Sequence, residues 1–199
     1  MPSAAILAGG RARRFGGRDK SRLVVDGRSI LDRQIAELSA LADEILIVGP
    51  TRMWDAPVPA GVGLVADRLA DCGPLGGLDA AFGAARHDTI VLVACDMPFL
   101  TAGLLGHLLS VVDGADAAVP RTDRGYHPLC AVYTRRCAPE VAQLLAENRL
   151  AMQELLERVR LREVGLDEIE RFGPAARLLA NVNSPAEFDE LHTLPGHTR

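Results

Sequence analysis

Short apolar runs without polar alternation recur along the chain, separated by stretches of helical periodicity. Residues 4–8 (AAILA), 45–48, 62–66 and 89–94 (TIVLVA) have this form. Runs apolar on both faces predict strands of a buried, parallel sheet rather than of a half-solvated one. The first run ends in Gly9-Gly10, a loop signal, and Leu23-Val24-Val25 before Asp26-Gly27 predicts a short strand and turn. Ser29-Ile30-Leu31-Asp32 has the form of a capping box, and Leu31, Ile35, Leu38 and Leu41 follow at helical spacing. Further helices are predicted over residues 75–85 and 104–112. The second half is less regular. It predicts strands over 115–119 and 129–133, a helix over 139–146, and a helical pattern over 150–162 that runs into a short strand. Ser184-Pro185-Ala186-Glu187 reads as a helix start, with serine at the N-cap, proline at N1 and glutamate at N3. Together these elements predict an α/β fold, Rossmann-like, with a mostly parallel central sheet, helices on both faces and right-handed crossovers.

A length of 199 residues, 48% of them hydrophobic and 24% charged, fits one globular domain spanning residues 1–199. No apolar run approaches the roughly 18 residues that cross a bilayer. The N-terminus lacks the basic segment of a secretory signal, so a cytoplasmic protein without membrane contact is expected. Cys72, Cys95, Cys130 and Cys137 form no C-x-x-C pair and read as reduced, partly buried thiols. Charge changes the picture more. Residues 11–22 hold six cations against Asp19 alone, a local charge of +5, so the remainder of a chain of net charge −4 carries −9. A cationic segment on an acidic protein points to a small polyanion as ligand, and away from duplex nucleic acid. Of the 22 lysines and arginines only Lys20 is a lysine. A compact ammonium suits a phosphate pocket too tight for a planar guanidinium.

In open parallel sheets ligands bind beyond the carboxyl ends of the strands. Three such ends are unusual here. The first strand enters L-A-G-G-R-A-R-R-F-G-G-R-D-K, Leu7 to Lys20, whose glycines let main-chain N–H groups turn toward an anion. This is neither a Walker A loop nor a G-x-G-x-x-G fingerprint. The third enters Asp67 and then Asp71-Cys72-Gly73-Pro74-Leu75-Gly76-Gly77, where paired glycines in the first turns of a helix suggest close approach of a ligand. The fourth ends in Cys95-Asp96-Met97-Pro98. An aspartate at the end of a buried strand needs a partner, and Mg²⁺ on a triphosphate would serve; capping of the following helix is the competing role. His87, His107, His192 and His197 carry no comparable signal.

The loop from Leu7 to Lys20 resembles the signature L-A-G-G-x-S-x-R-M-G-x-D-K of the molybdenum cofactor guanylyltransferases. Gly73-Pro74-Leu75-Gly76-Gly77 is similar to that family's G-P-L-A-G segment, Asp96-Met97-Pro98 to its D-M-P metal motif, His127-Pro128-Leu129 to its H-P segment, and Asn181-Val182-Asn183-Ser184-Pro185 to its N-x-N-T-P motif. The matches fall in order over nearly the whole chain. The resemblance implies a single nucleotidyltransferase domain, with a nucleotide-binding half over about residues 1–100 and an acceptor-binding half over about 101–194. It implies that Leu7, Ala8, Gly9 and Gly10 bind the guanine and sugar side of GTP, that Arg14, Gly17 and Lys20 contact the triphosphate, that Asp67 holds the nucleoside, and that Asp96 ligates Mg²⁺. Arg149, Asn181 and Asn183 would bind the molybdopterin acceptor. Phe15 replaces the usual methionine. After the second strand, Val48-Gly49-Pro50 stands where the family often has an asparagine against the nucleotide.

The implied reaction is attack by the terminal phosphate of molybdopterin on the α-phosphorus of GTP, with release of pyrophosphate. The nucleophile is already anionic, so alignment and charge neutralisation are the tasks left to Arg14, Lys20 and Asp96. Transient contact with molybdoenzymes or a GTP-binding accessory protein would fit such a role. The rival readings are a cytidylyl- or sugar-phosphate nucleotidyltransferase on the same scaffold, and a non-catalytic GTP-binding sensor.

Overall fold

The computed structural model describes residues 1–8, 24–25, 27–50, 59–67, 69, 71–182 and 186–187. The elements are β1 (Ser3–Leu7), β2 (Val24–Val25), β3 (Arg28–Ser29), α1 (Ile30–Ser39), β4 (Glu44–Val48), β5 (Val62–Val65), α2 (Gly73–Ala84), β6 (Thr89–Ala94), α3 (Ala102–Val111), β7 (Ala117–Thr122), β8 (Gly125–Tyr126), β9 (Cys130–Thr134), α4 (Ala138–Ala146), α5 (Met152–Arg158), β10 (Leu161–Val164), α6 (Leu166–Ile169) and α7 (Ala175–Leu178). One sheet runs in the order β10-β7-β9-β6-β1-β4-β5, and β8 pairs with β7 at its margin. β2 and β3 form a separate hairpin turned at Gly27, whose φ of 75° suits glycine.

The expected α/β architecture is present. Alternate residues of each central strand enter two cores. Ala4, Ile6, Ile45, Ile47, Val91 and Val93 pack with Leu38 of α1 and with Leu104, Leu105 and Leu108 of α3. Ala5, Leu7, Leu46, Val48, Ile90 and Leu92 pack with α2, α4 and α5. Burial on both faces is why these strands read as unbroken apolar runs. The capping box forms as expected: Ser29 Oγ accepts from Asp32 N at 3.0 Å, and Asp32 Oδ2 accepts from Ser29 N at 3.4 Å.

The sheet is mostly parallel, as expected, and its local detail departs from the sequence pattern at several points. β9 is antiparallel to both β6 and β7, so the sheet is mixed. Only a short link separates Thr122 from Cys130, too little for the crossover a parallel neighbour requires. β5 lies at the sheet edge, and Leu64 is 48% exposed, so this strand is not buried like β1 or β6. The helical pattern over 150–162 resolves into α5, ending at Arg158, and strand β10. The short helices α6 and α7 were not foreseen, since four residues carry too little periodicity to register. Ala186 and Glu187 are helical, while Ser184 and Pro185 lie outside the described residues. No described helix is long and apolar enough to cross a membrane.

Candidate active site at the carboxyl edge of the sheet

The connections from β1 and β6 leave in opposite directions. β1 leads through α1 to β4 on one side, whereas β6 leads through α3 toward β7 on the other. Adjacent strands whose connections diverge leave a crevice beyond their carboxyl ends. Main-chain hydrogen bonds carry the sheet one residue past the strands at this edge. Gly49 N donates to Val65 O at 3.0 Å, Ala8 N to Val48 O at 2.8 Å, Cys95 N to Leu7 O at 3.1 Å and Ala94 N to Leu129 O at 2.8 Å. Five strand termini are thereby held in one rigid rim.

On this rim the described site residues take distinct places. The side chains of Leu7 and Ala8 are buried, Leu7 toward α2 and Ala8 toward α1 and α3, so any ligand contact from them is through the main chain. Asp96 stands in the turn after β6 and is half-buried. The competing role as helix cap is taken by Thr101, whose Oγ1 accepts from Leu104 N at 3.3 Å. Val182 N donates to Asp96 O at 2.7 Å, which brings the exposed Asn181 to the same turn from the far end of the chain. Asp67 follows β5; its side chain is exposed, yet partial desolvation raises its carboxyl above the ordinary range. Arg149 lies in the α4–α5 connection, exposed, with Nη1 3.6 Å from Glu147 Oε2 and Nε 2.5 Å from Glu154 Oε2. α4 runs back from the far end of β9, so this connection returns to the carboxyl edge. Gly9, Gly10, Arg14, Gly17, Lys20 and Asn183 lie outside the described residues.

The glycines of the second motif have a different cause from the one expected. A Cβ on Gly77 would lie 2.8 Å from Leu7 Cδ2, and one on Gly76 would lie 2.7 Å from Cys72 Cβ. Both glycines are buried; Gly77 lets α2 settle onto Leu7 at the end of β1, while Gly76 leaves room for Cys72 at the N-cap of the same helix, so close packing accounts for both. Gly49 is tighter still: a Cβ there would meet Ala8 O at 2.4 Å. Any side chain at this position is closed off by the main chain of β1. The N-terminus of α2 has no side-chain cap and no acidic residue in its first turn, leaving its positive dipole end at the rim.

His127 is half-buried beside this rim. Its Nε2 is 2.9 Å from Thr122 Oγ1, and burial, with Arg124 nearby, lowers its pKa, favouring the neutral ring. Gln34 is the residue that sequence reading missed. It is 2% exposed and its Nε2 donates to Ala94 O at 2.7 Å and to Met97 O at 3.1 Å. Its place four residues from Ile30 and from Leu38, on the buried face of α1, was the available signal. Cys130 and Cys137 are buried and free, and burial pushes both thiols up to about 12.

Residues 4–164 match the family described as the MobA-like NTP transferase domain. The chain is 35% identical over 190 residues to a molybdenum cofactor guanylyltransferase of Pseudomonas putida, covering 94% of this chain and 96% of the relative. Against a protein of the same name from Desulfosudis oleivorans it is 30% identical over 190 residues, covering 93% and 91%. Its fold matches that of molybdopterin-guanine dinucleotide biosynthesis protein A from Archaeoglobus fulgidus, with a TM-score of 0.76 at 22% identity over 95% and 96% of the two chains. It also matches 2-C-methyl-D-erythritol 4-phosphate cytidylyltransferase from Thermus thermophilus, with a TM-score of 0.70 at 17% identity over 98% of each. The two structural likenesses speak to the fold; the family match and the near full-length relatives go further, and they make this chain a nucleotidyltransferase belonging to the MobA-like NTP transferase family.

Proposed function

We propose that the protein transfers GMP from GTP to the terminal phosphate of molybdopterin, giving the molybdopterin guanine dinucleotide cofactor and pyrophosphate. One observation carries this reading: the 2.7 Å hydrogen bond from Val182 N to Asp96 O seats Asn181 beside the acidic end of β6. An amide can read the donor and acceptor edge of a pterin. The acceptor and the nucleotide would then meet over one turn of the chain. The names of the relatives from Pseudomonas putida and Desulfosudis oleivorans support the same substrates.

The donor set suits Mg²⁺. Asp96 offers a hard carboxylate at the rim, and among the described residues no group of three or more His, Cys, Asp or Glu could hold a metal. Magnesium is typically held by one or two carboxylates together with substrate phosphates and water. Bound there, Mg²⁺ would neutralise triphosphate charge. The chain's own work is alignment. Leu7 and Ala8, with Gly9 and Gly10, would present main-chain groups to the base and sugar, and Asp67 would accept from the nucleoside. Arg14, Gly17 and Lys20 would hold the triphosphate. Arg149, Asn181 and Asn183 would hold the acceptor so that its phosphate oxygen lies in line with the α-phosphorus. The new bond joins that oxygen to phosphorus. The bond from phosphorus to the bridging oxygen breaks, and its electron pair leaves with pyrophosphate.

The test is pyrophosphate release with molybdopterin and Mg²⁺, run separately with GTP, CTP, ATP and UTP. Release with GTP alone is expected. Release mainly with CTP would keep the chemistry and refute the base. Binding of GTP without release under any condition would make the protein a sensor.

A further inference from the structure

Asp96 sits where the chain has left the ladder of the sheet. Ala94 N and Cys95 N still bond to Leu129 O and Leu7 O, but beyond them no strand among the described residues pairs with the turn. Gln34, from α1 beneath, meets two of the turn's carbonyls, Ala94 O at 2.7 Å and Met97 O at 3.1 Å, and these bracket Cys95-Asp96. Val182 N meets the third, Asp96 O. The main chain of the turn is therefore pinned from the core side by one side chain and from above by the C-terminal segment. The amide orientation follows from its partners, since two carbonyls require a donor. The cost is visible: Gln34 Oε1 is buried and finds no hydrogen-bond partner among the described residues. A hydrocarbon at this position would match its apolar neighbours Ile30 and Leu38 on the same face and would avoid the orphaned oxygen. It would also strip both carbonyls of the turn, and buried carbonyls are rarely left unmet.

We propose that Gln34 is a positioning residue for Asp96, holding the turn so that the carboxylate is presented to the crevice at a fixed height. α1 follows the Gly-rich segment of residues 9–23 through the β2–β3 hairpin, so the same side chain ties the helix behind that segment to the acidic turn. The functional part of the inference rests on the metal-dependent transfer proposed above; the tether itself does not.

The test uses the full chain carrying Gln34→Met, which removes the donor, and Gln34→Glu, which keeps the shape and replaces the donor by an acceptor. Amide hydrogen exchange is followed in peptides covering residues 93–99. Mn²⁺ affinity is measured by electron paramagnetic resonance with a non-hydrolysable GTP analogue present. In both folded variants exchange through the turn should rise about 10-fold, Mn²⁺ affinity and kcat should fall about 10-fold, and KM for GTP should stay within about 2-fold. Unchanged exchange and Mn²⁺ affinity in folded variants would overturn the proposal. Failure of both variants to fold would overturn it as well, since Gln34 would then be a folding requirement. If the wild-type protein neither binds Mn²⁺ nor releases pyrophosphate, the transfer reading fails, while faster exchange in the variants would still support the tether.

Discussion

Gly49→Ala is the most exacting test of the rim. The added methyl carbon would stand 2.4 Å from Ala8 O and 3.0 Å from Ala8 C. Carbon–oxygen contacts settle near 3.3 Å, so the clash is roughly 0.9 Å deep. The obstacle is main chain and cannot rotate away. Relief requires β4 and β1 to part at their ends, which strains the bonds from Ala8 N to Val48 O and from Gly49 N to Val65 O. Overpacking of this kind costs about 1–3 kcal/mol, and two weakened hydrogen bonds add about 1 kcal/mol. A loss near 3 kcal/mol corresponds to a fall of about 6–12 °C in Tm for a chain of this size. Ala8 is the last residue before the Gly-rich segment, so a shift near 1 Å there should lower kcat/KM by about 10²-fold. Thermal melts and pyrophosphate release read the two effects separately. Gly106→Ala is the control: its Cβ would meet only Leu41 Cδ2, at 3.4 Å, within α3. That change should be neutral or stabilise by up to about 1 kcal/mol. A Gly49→Ala protein with the melt and turnover of wild type would refute the account of the rim.

Three other outcomes are expected. Asp96→Ala should keep the wild-type circular dichroism and lower pyrophosphate release by about 10³-fold, the loss of roughly 4 kcal/mol of charge stabilisation; near wild-type turnover would remove Asp96 from the metal site. Lys20→Arg should behave as a disruptive change despite keeping the charge, with a raised KM for GTP or a lowered kcat; unchanged constants would show that the lone lysine has no special task. Asp116 should dominate acid sensitivity in the second half of the molecule. Hydrogen bonds from the Arg160 guanidinium hold its carboxyl well below the usual range, with Arg136 adding to the effect against the opposing pull of desolvation. A depressed folded-state pKa gives stability that is present above the unfolded value of about 3.9 and is lost as pH falls below it. Wild-type Tm should therefore drop more steeply than that of Asp116→Asn between pH 5 and pH 2; parallel slopes would refute the assignment.

The parts of the fold that were legible share one property: a local rule settles them. β1, β4 and β6 show as unbroken apolar runs because both their faces are covered, and α1 announces its start through the Ser29–Asp32 box. What escaped depends on partners distant in sequence. Nothing within residues 130–134 says that β9 runs against β6; only the short span from Thr122 does. Gln34 is an ordinary polar residue until Ala94 and Met97, some sixty positions away, arrive above it. Gly76 and Gly77 signal close approach in the sequence, but glycine does not name what approaches, which here is Cys72 and Leu7. The candidate site divides in the same way. Asp96 and Asp67 stand out at strand ends, whereas the bond from Val182 N to Asp96 O needs the chain to return from its far end.

The reversal of β9 bears on how one side of such a sheet can change without the other. The parallel strands reach the rim with their last residues. β9 reaches it with its first, so His127-Pro128-Leu129 comes to the rim straight from the β7–β8 hairpin. Lengthening that hairpin or exchanging its residues should leave β6, β1, β4 and β5 in register, because among the described residues β9 is the strand by which the segment from β7 to β10 joins them in the sheet. The seam between β6 and β9 is thus a natural boundary for recombination. Segments spanning residues 117–164 can be exchanged across it while β6, β1, β4 and β5 keep their order and spacing.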